Sequence, residues 1–452
     1  MTVRKKTTSV VRAAAAALLL LGPPAAASAA DWPQWRGPGR DGVCQETGWR
    51  TTWPEGGPKV LWEKDVGRGF AAVAAVKGRL YTSGNAAHRD RLWCLDAATG
   101  ECVWSYSYPQ HSGQGGQWPG TQATPTVAAG RVYQYSRDAR LFCLDANSGA
   151  FRWWRDLPSE YGVEEVIHDY ASSPLVTDGV VIVTAKLPDA TIVAFDAATG
   201  KEAWRANHPA TEVGGIWSSP VVGTIDGRRC VVRLTGRSVV GVGPADGKTL
   251  WTYEFRAEEG FEPHRQSGVA ATPVLWGDRV VFHHHIKGGE TVSGCIEVRE
   301  GRARLVWTNR RFADQWRGGT AWRGRIFGHS AWGGAGRLHC VDLATGETLW
   351  SARRFGEADA GGSFLLADGK LIHWHGGVAS VVEVSDEGGK LLASAQVCEG
   401  RGLFDVTPPV LSAGLLYLRA TTLPQLARPG HSTLYCLDLR APAATGPSPA
   451  GR

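Results

Sequence analysis

The chain has 452 residues, of which 43% are hydrophobic and 20% charged, and its formal net charge is +6. Four of the basic residues lie within the first twelve positions, so the rest of the chain carries a net charge of about +2. Its Lys and Arg residues are scattered among predicted turns, whereas a nucleic-acid-binding surface would cluster them. We therefore expect no nucleic-acid partner.

The N-terminus has the pattern of a secretory signal peptide over residues 1–30. Basic residues precede an apolar run from Ala13 to Leu21, and small residues follow up to Ala30. The run is shorter than the roughly 20 residues that span a bilayer. We therefore expect cleavage near Ala29 or Ala30, no transmembrane anchor in the mature chain, and a periplasmic or extracellular location.

Residues 31–59 form a segment rich in Trp and Pro that precedes the repeats. It contains Trp32, Trp35, Trp49 and Trp53. We expect an extended arm that packs against the rest of the protein; an exposed recognition strip is the alternative.

The central part of the chain repeats one phrase. Its clearest copies are LWCLDAATGECVW (Leu92 to Trp104), LFCLDANSGAFRW (Leu141 to Trp153), IVAFDAATGKEAW (Ile192 to Trp204) and LHCVDLATGETLW (Leu338 to Trp350). Each copy is typical of a strand, an Asp-x-x-Thr/Ser-Gly turn and a second strand that carries a Trp. Two further strands precede each phrase, and weaker copies fill the gaps. This gives eight units spaced by about 42 to 56 residues, a period that suits four-stranded propeller blades.

The repeats predict an all-β fold, an eight-bladed β-propeller of four-stranded antiparallel blades over residues 60–440. The last unit breaks off without its fourth strand, and the strand-like segment Val60 to Val66 precedes the first unit. We expect this N-terminal strand to join the last blade and close the ring, which removes open sheet edges. Residues 441–452 lack an apolar pattern and are expected to be disordered.

Each part of the phrase has a predicted role. The Asp hydrogen-bonds the turn backbone, and the Gly permits positive φ. The Trp docks between neighbouring blades, at Trp62, Trp104, Trp153, Trp204, Trp251, Trp307 and Trp350. The nine cysteines include four at one repeat position, which predicts small buried core residues rather than disulfides. These four are Cys94, Cys143, Cys340 and Cys436.

The phrase AFDAATGKEAW (Ala194 to Trp204) resembles the tryptophan-docking repeat of the quinoprotein, or pyrroloquinoline-quinone (PQQ)-like, β-propeller superfamily. The segment DWPQWRGPGRDG (Asp31 to Gly42) is similar to the one that leads into secreted bacterial members. The resemblance implies an eight-bladed fold. It also implies two kinds of function, because the superfamily includes calcium- and quinone-dependent alcohol dehydrogenases as well as noncatalytic propellers such as the outer-membrane assembly lipoprotein.

The functional motifs of those dehydrogenases do not transfer to this sequence. It contains no vicinal Cys-Cys pair, and no stretch matches the calcium ligands or the catalytic base residue by residue. We therefore predict a noncatalytic binding or scaffolding platform in the cell envelope, without a cofactor or catalytic residues. The alternative is a PQQ-dependent oxidoreductase that uses PQQ with calcium and acts on an alcohol or sugar.

In a propeller, the loops between second and third strands and those between blades open on the same face, here called the loop-rich face. We expect a monomer whose partner, an unidentified envelope protein or a small ligand, binds this face. The unusual residues concentrate there: His88, His111, His168, His264, His285, His431, Trp118, Trp316, Trp332, Glu164, Glu165, Arg265, Arg317 and Asp405. A weaker candidate is a carbohydrate-cleaving pair of Glu164 with Asp169 or Glu262.

A histidine cluster is the candidate metal site. In FHHHIKGG (Phe282 to Gly289), strand alternation places His283 and His285 on one face and His284 on the other. His329 lies near the level of His283 in the next blade. Imidazole is a good ligand for zinc or copper, so His283, His285 and His329 are the predicted ligands. The alternative is that these are hydrogen-bonded structural histidines.

Overall fold

The computed structural model describes residues 30–110, 120–162, 170–208, 217–261, 270–286, 290–314, 316–330, 336–400, 403, 406–422 and 431–441. The predicted signal peptide up to residue 29 and the predicted tail from residue 442 lie outside the described residues. Within these ranges, no helix is long and apolar enough to cross a membrane.

The regular secondary structure of the described chain is almost entirely short strands. Before the repeats lie β1 (Val43–Cys44) and β2 (Val60–Asp65). Blade 1 contains β3 (Ala74–Val76), β4 (Arg79–Ala86), β5 (Arg89–Asp96) and β6 (Cys102–Pro109). Blade 2 contains β7 (Thr126–Ala128), β8 (Arg131–Tyr135), β9 (Arg140–Asp145) and β10 (Phe151–Asp156), followed by helix α1 (Leu157–Tyr161). Blade 3 contains β11 (Leu175–Thr177), β12 (Val180–Thr184), β13 (Ile192–Asp196) and β14 (Glu202–Ala206).

The remaining blades repeat the pattern. Blade 4 contains β15 (Val221–Ile225), β16 (Arg228–Leu234), β17 (Ser238–Val242) and β18 (Thr249–Glu254), followed by a 3-10 helix (Ala257–Glu259). Blade 5 contains β19 (Val274–Trp276), β20 (Arg279–His285), β21 (Thr291–Arg299) and β22 (Arg302–Asn309). Blade 6 contains β23 (Thr320–Trp322), β24 (Arg325–His329), β25 (Leu338–Asp342) and β26 (Thr348–Ala352), followed by the hairpin β27 (Arg354–Phe355) and β28 (Ala358–Asp359). Blade 7 contains β29 (Ser363–Ala367), β30 (Lys370–His375), β31 (Val378–Val384) and β32 (Gly389–Gln396); blade 8 contains β33 (Val410–Ser412), β34 (Leu415–Thr421) and β35 (Ser432–Asp438).

The ring closes as the sequence predicts. The last sheet has the strand order β2-β35-β34-β33, and β2 pairs antiparallel with β35, with Lys64 opposite Leu434. The all-β, eight-bladed architecture is confirmed, and the N-terminal strand supplies the outer strand of blade 8.

The turn of each full phrase is built by its Asp. In blade 3, Asp196 Oδ1 accepts hydrogen bonds from the backbone N–H groups of Ala198 (3.1 Å) and Thr199 (2.7 Å). The Thr199 hydroxyl donates to the same oxygen at 2.7 Å. Gly200 follows with φ = 73°, a conformation that an L side chain rarely adopts. The predicted roles of Asp, Thr and Gly are therefore confirmed in this turn.

The turn glycine also makes room for the Trp of the preceding blade. A Cβ atom on Gly200 would lie 2.6 Å from the Trp153 ring, whose indole N–H donates to the Ala197 carbonyl at 3.3 Å. The same indole-to-carbonyl bond joins Trp62 to Ala97, Trp104 to Ala146, Trp204 to Pro244, Trp307 to Leu343 and Trp350 to Ser385. The docking prediction is confirmed at these six tryptophans.

Trp251 differs from the other six. It is buried among residues of blades 4 and 5, but its indole N–H finds no acceptor oxygen among the described residues. The next turn, Glu300–Gly301, has only two residues between the paired Arg299 and Arg302, so it is shorter than the turns on which the other tryptophans dock. No atom of the Trp251 ring lies within 4 Å of a Cβ atom built on Gly301. Trp251 therefore packs between blades without docking on a turn.

The four cysteines at the shared repeat position are buried and free, as predicted. They lie in the hydrophobic clusters that fill the space between neighbouring sheets.

Candidate binding site in the central channel

The innermost segments of blades 1 to 4 are joined by side-chain hydroxyls. Thr124 Oγ1 accepts from the Ala72 N–H at 2.9 Å, and Ser173 Oγ accepts from the Thr124 N–H at 2.9 Å. Ser219 Oγ accepts from the Ser173 N–H at 3.0 Å. The small hydroxyl residues upstream of each phrase thus link successive blades at the neck of the channel.

The Trp/Pro-rich arm packs against the propeller, as predicted, and it does so by crossing the central channel. Trp32 exchanges two backbone hydrogen bonds with Ala75 in blade 1, at 2.7 and 2.8 Å. The Trp35 indole donates to Thr272 Oγ1 in blade 5 at 2.9 Å. Strand β1 pairs in parallel with β29 in blade 7, with Val43 opposite Leu366. The arm therefore connects blades on opposite sides of the ring.

Two arginines of the arm anchor it inside the channel. Arg40 donates to the carbonyls of Ser173 (2.9 Å) and Pro174 (2.8 Å) in blade 3. Arg36 donates to the carbonyls of Arg317 and Gly319, which lead into blade 6. Burial lowers the pKa of Arg36 to about 10 and that of Arg40 to about 9. Both remain cationic at neutral pH, and backbone carbonyls rather than carboxylates satisfy them. No repeat or side-chain motif in the sequence marks these two arginines.

Above the arm lies a cavity of about 100 Å³, here called the central cavity. Trp35 of the arm contributes to its wall, and the segments that enter the inner strands supply the rest. The rings of Trp217 and Trp316 stack with centroids 5.6 Å apart and planes 26° apart. The described lining is Trp35, Phe70, Gln122, Ala171, Ser173, Trp217, Ser219, Ala270, Trp316 and Val406. The cavity is therefore an aromatic recess that suits a flat or apolar group.

The structure separates the predicted residues of the loop-rich face. Trp316 lines the central cavity, whereas His88 and His431 line a second cavity at blades 8 and 1. His285 and Arg317 are described below, and the remaining predicted positions lie outside the described residues: His111, Trp118, Glu164, Glu165, His168, Asp169, Glu262, His264, Arg265, Trp332 and Asp405.

Two of the three candidate metal ligands, His283 and His329, make hydrogen bonds between blades. His283 Nε2 contacts the Gly318 carbonyl at 3.1 Å, and its Nδ1 contacts Ser293 Oγ at 2.7 Å. His329 Nε2 contacts the Ala360 carbonyl at 3.0 Å. Each of these carbonyls belongs to the segment that enters the next blade. Burial lowers the pKa of both histidines, so they are neutral and hold the segment between blades.

The other histidines of the cluster have separate surroundings. His285 Nδ1 contacts Thr291 Oγ1 at 3.5 Å. His284 lies on the opposite side of the strand, as predicted, 4.3 Å from Phe255 between ring centroids, and burial lowers its pKa to about 3. Within the part of the chain that the structure describes, no group of three or more His, Cys, Asp or Glu side chains is arranged to hold a metal ion.

A buried aspartate, which no motif in the sequence marks, lies beside His329 and accepts a hydrogen bond from its backbone N–H at 3.3 Å. Asp314 Oδ1 accepts from the backbone N–H groups of Trp316 (3.2 Å) and Arg317 (3.0 Å). Arg317 also donates to His329 Nδ1 at 2.9 Å. Although burial acts to raise it, the pKa of Asp314 is lowered strongly by the charge of Arg317. The arrangement positions Trp316 at the cavity wall.

Known proteins share this architecture. Residues 111–352, just over half of the chain, match the family described as outer membrane protein assembly factor BamB. Quinohemoprotein alcohol dehydrogenase ADH-IIG of Pseudomonas putida is 29% identical over 151 residues, which are 32% of this chain and 20% of that protein. Quinohemoprotein alcohol dehydrogenase ADH IIB of the same organism is 27% identical over 185 residues, 37% of this chain and 22% of that protein. The matches thus span about a fifth of these relatives.

Two solved structures show the same fold across most of the chain. BamB from Moraxella catarrhalis superposes with a TM-score of 0.57 and 15% identity, covering 84% of this chain and 99% of that one. Quinohemoprotein alcohol dehydrogenase from Comamonas testosteroni gives a TM-score of 0.62 and 14% identity, covering 92% and 82%. Identities this low establish the fold and leave the activity open. The match over residues 111–352, on an eight-bladed ring, shows that the chain belongs to the PQQ-like β-propeller family described as outer membrane protein assembly factor BamB.

Proposed function

We propose that the protein is a noncatalytic binding or scaffolding platform of the cell envelope, and that its partner binds the loop-rich face. The observation that carries this proposal is the central cavity, a preformed aromatic recess walled by Trp35, Trp217 and Trp316. Buried aromatic side chains in such recesses provide most of the binding energy in many protein interfaces. The hydrogen-bonded arm holds the recess rigid, which lowers the entropic cost of binding.

The partner side chain that this cavity fits is apolar or aromatic. The paired Trp rings offer a stacking surface, and the hydroxyls of Ser173 and Ser219 already accept backbone hydrogen bonds. A partner that inserts a Leu side chain or the edge of an aromatic ring would bury apolar surface without breaking these bonds.

The experiment is crosslinking in intact cells followed by purification of the tagged protein. The test variant is Trp217→Ala with Trp316→Ala, and the matched control is Trp154→Ala on the outer strand of blade 2, where the side chain is 47% exposed. We expect one crosslinked partner with the wild type and the control, and its loss in the test variant. Equal recovery with all three proteins would contradict the proposed role of the cavity.

The rival function is a PQQ-dependent oxidoreductase, and the similarity to quinohemoprotein alcohol dehydrogenases favours it. The Trp217–Trp316 pair suits a planar ring, but calcium requires several oxygen ligands. The described lining of the cavity offers serine hydroxyls and one amide, Gln122, and no carboxylate. The described residues therefore do not fit calcium-bound PQQ. Saturable binding of PQQ with calcium, together with alcohol-dependent dye reduction, would overturn the noncatalytic proposal.

Metal binding by His283, His285 and His329 stays a prediction. Elemental analysis of the purified protein tests it directly, with a His283→Ala and His285→Ala variant as the comparison. Stoichiometric zinc or copper in the wild type and its loss in the variant would support the site. Wild-type protein without metal would rule it out.

We further propose that the protein is exported as a monomer to the periplasm or the extracellular space after cleavage of residues 1–30. Cell fractionation, N-terminal sequencing and light scattering test these points. An intact N-terminus on cytoplasmic protein would contradict export, and a stable dimer would contradict the monomer.

A further inference from the structure

A second cavity, with a volume of about 700 Å³, lies on the loop-rich face beside the tip of the β4–β5 hairpin. Its walls are that tip, the segment that follows β2, and residues at the end of β6, and His431 of blade 8 adds to them. We call it the hairpin pocket. It is distinct from the central cavity, and its size falls within the range of small-molecule sites.

The described wall of the hairpin pocket is strongly basic. It is lined by three arginines, Arg68, Arg89 and Arg91, and by one acidic residue, Asp65. Arg89 and Arg91 form no ion pair with any carboxylate in the described chain. On the same hairpin, away from the pocket, Arg79 pairs with Asp96 at 3.3 Å. Among the described residues, the hairpin therefore pairs Arg79 with a carboxylate at the end away from the pocket, whereas Arg89 and Arg91 at the pocket have no carboxylate partner.

Neighbouring groups hold the two arginines in place. Arg89 donates to the Ser107 carbonyl at 3.2 Å, and Arg91 donates through Nε to Ser107 Oγ at 3.0 Å. The Arg91 guanidinium also lies over the Trp93 ring, 4.8 Å from its centroid. Each contact uses one N–H group or a ring face, whereas a guanidinium has five N–H donors. Both side chains are thus oriented before a ligand arrives.

The rings and amides of the pocket favour an anion over a neutral sugar. Trp93 would be the natural stacking surface for a sugar, but Arg91 and Lys64 both lie against its ring, the latter at 5.5 Å. Trp93 therefore positions the cationic groups of Arg91 and Lys64. The amides of Asn85 and Gln110 line the pocket, and Asn85 donates to the fully buried Asp90 at 2.8 Å, so that carboxylate is not part of the wall.

We propose that the hairpin pocket is an anion-binding site for a small organic molecule that carries two or more carboxylate or phosphate groups. Guanidinium groups bind both groups through paired, charge-assisted hydrogen bonds. Arg89 and Arg91 contribute most of the binding, and Ser107 positions them. This site is additional to the partner-binding role of the central cavity and does not depend on it.

Isothermal titration of the full-length mature protein tests the proposal with two probes, citrate for carboxylates and pyrophosphate for phosphates. We expect saturable binding of at least one probe with a Kd below about 1 mM, and weaker binding as the salt concentration rises. The preferred probe identifies the anionic group. Failure of both probes to saturate would overturn the proposal.

Variants locate the site. Arg89→Gln with Arg91→Gln should weaken binding by about tenfold or more, because two charge-assisted contacts are lost. Arg79→Gln, on the same hairpin, is the matched control and should leave the Kd unchanged.

Ser107→Ala is a milder change that should weaken binding by about two- to fivefold, since it frees the Arg91 side chain. Wild-type affinity in the double variant would place the anion elsewhere and overturn the proposal. Binding by the central-cavity variant should equal that of the wild type, which separates this site from the proposed partner site.

Discussion

The two faces of the propeller are held together in different ways. On the face of the Asp-x-x-Thr-Gly turns, one device recurs: an indole ring packs on the turn glycine of the next blade and donates to a turn carbonyl, as Trp153 packs on Gly200 and donates to Ala197 at 3.3 Å. On the loop-rich face, the junctions between blades use more than one kind of contact. Hydroxyls join blades 1 to 4, and His283 and His329 join the blades that follow. On the turn face, the same stabilising contact is repeated from blade to blade. On the loop-rich face, the contacts vary, and both cavities lie there.

Removing a docked Trp ring should destabilise the turn face more than any other change considered below. Trp204→Ala deletes a buried indole and its hydrogen bond, and we expect a loss of about 3–5 kcal/mol in the free energy of unfolding. Denaturant unfolding measures this loss. Trp154→Ala is the control, because its side chain is 47% exposed and should cost far less. Equal losses would contradict the docking role.

The loop-rich face should respond to pH through Asp90. Burial raises the pKa of this carboxyl to about 6, against hydrogen bonding from Asn85 and the charge of Arg137, which lower it. The unfolded carboxyl titrates near 3.8. The folded protein therefore binds the proton more tightly, and its stability falls as pH rises from about 4 through about 6. With its pKa raised from 3.8 to about 6, ionised Asp90 lowers the free energy of unfolding by about 3 kcal/mol at neutral pH.

Asp90→Asn removes this titration. We expect the variant to be more stable than the wild type at neutral pH by up to about 3 kcal/mol, with the difference shrinking towards about pH 4. Urea unfolding across this pH range measures it. A difference that does not change with pH would show that Asp90 ionises normally in the folded protein.

Two turn glycines separate the cost of displacing a packed ring from the cost of backbone strain. Gly200 and Gly179 both have positive φ, at 73° and 80°. A Cβ on Gly200 would lie 2.6 Å from the Trp153 ring, whereas a Cβ on Gly179 would meet nothing within 4 Å. We expect Gly200→Ala to cost about 1–3 kcal/mol more than Gly179→Ala, because only the former displaces a ring. Equal costs in thermal or denaturant unfolding would mean that strain alone matters.

The regular face is the part that the sequence predicts well. An Asp, a Gly and a Trp at fixed spacing each make local contacts that recur, so Asp196, Gly200 and Trp204 are recognisable in the sequence and behave as expected. Ring closure was predictable for the same reason, since an orphan Trp62 strand precedes a unit that lacks one.

The sites were harder to predict because they depend on contacts that occur once. Arg36 and Arg40 follow no repeat, and their acceptors are carbonyls distant in sequence, which no side-chain pattern reveals. Their setting among Gly37, Gly39 and Gly42 was the available signal for close backbone approach. The histidines were visible, but their carbonyl partners were not. Sequence alone therefore left the metal and structural interpretations both open.

Trp251 tests whether the hydrogen bond or the ring supplies the docking energy. Trp204→Phe keeps an aromatic ring but leaves the Pro244 carbonyl without its indole donor, which should cost about 1 kcal/mol or slightly more beyond the loss of packing. Trp251→Phe loses no hydrogen bond to an oxygen, because its buried N–H finds no acceptor oxygen in the described chain. The second substitution should therefore be the milder of the two. If both variants lose the same free energy of unfolding, the indole-to-carbonyl bond adds nothing, and the blades are joined by burial of the ring alone.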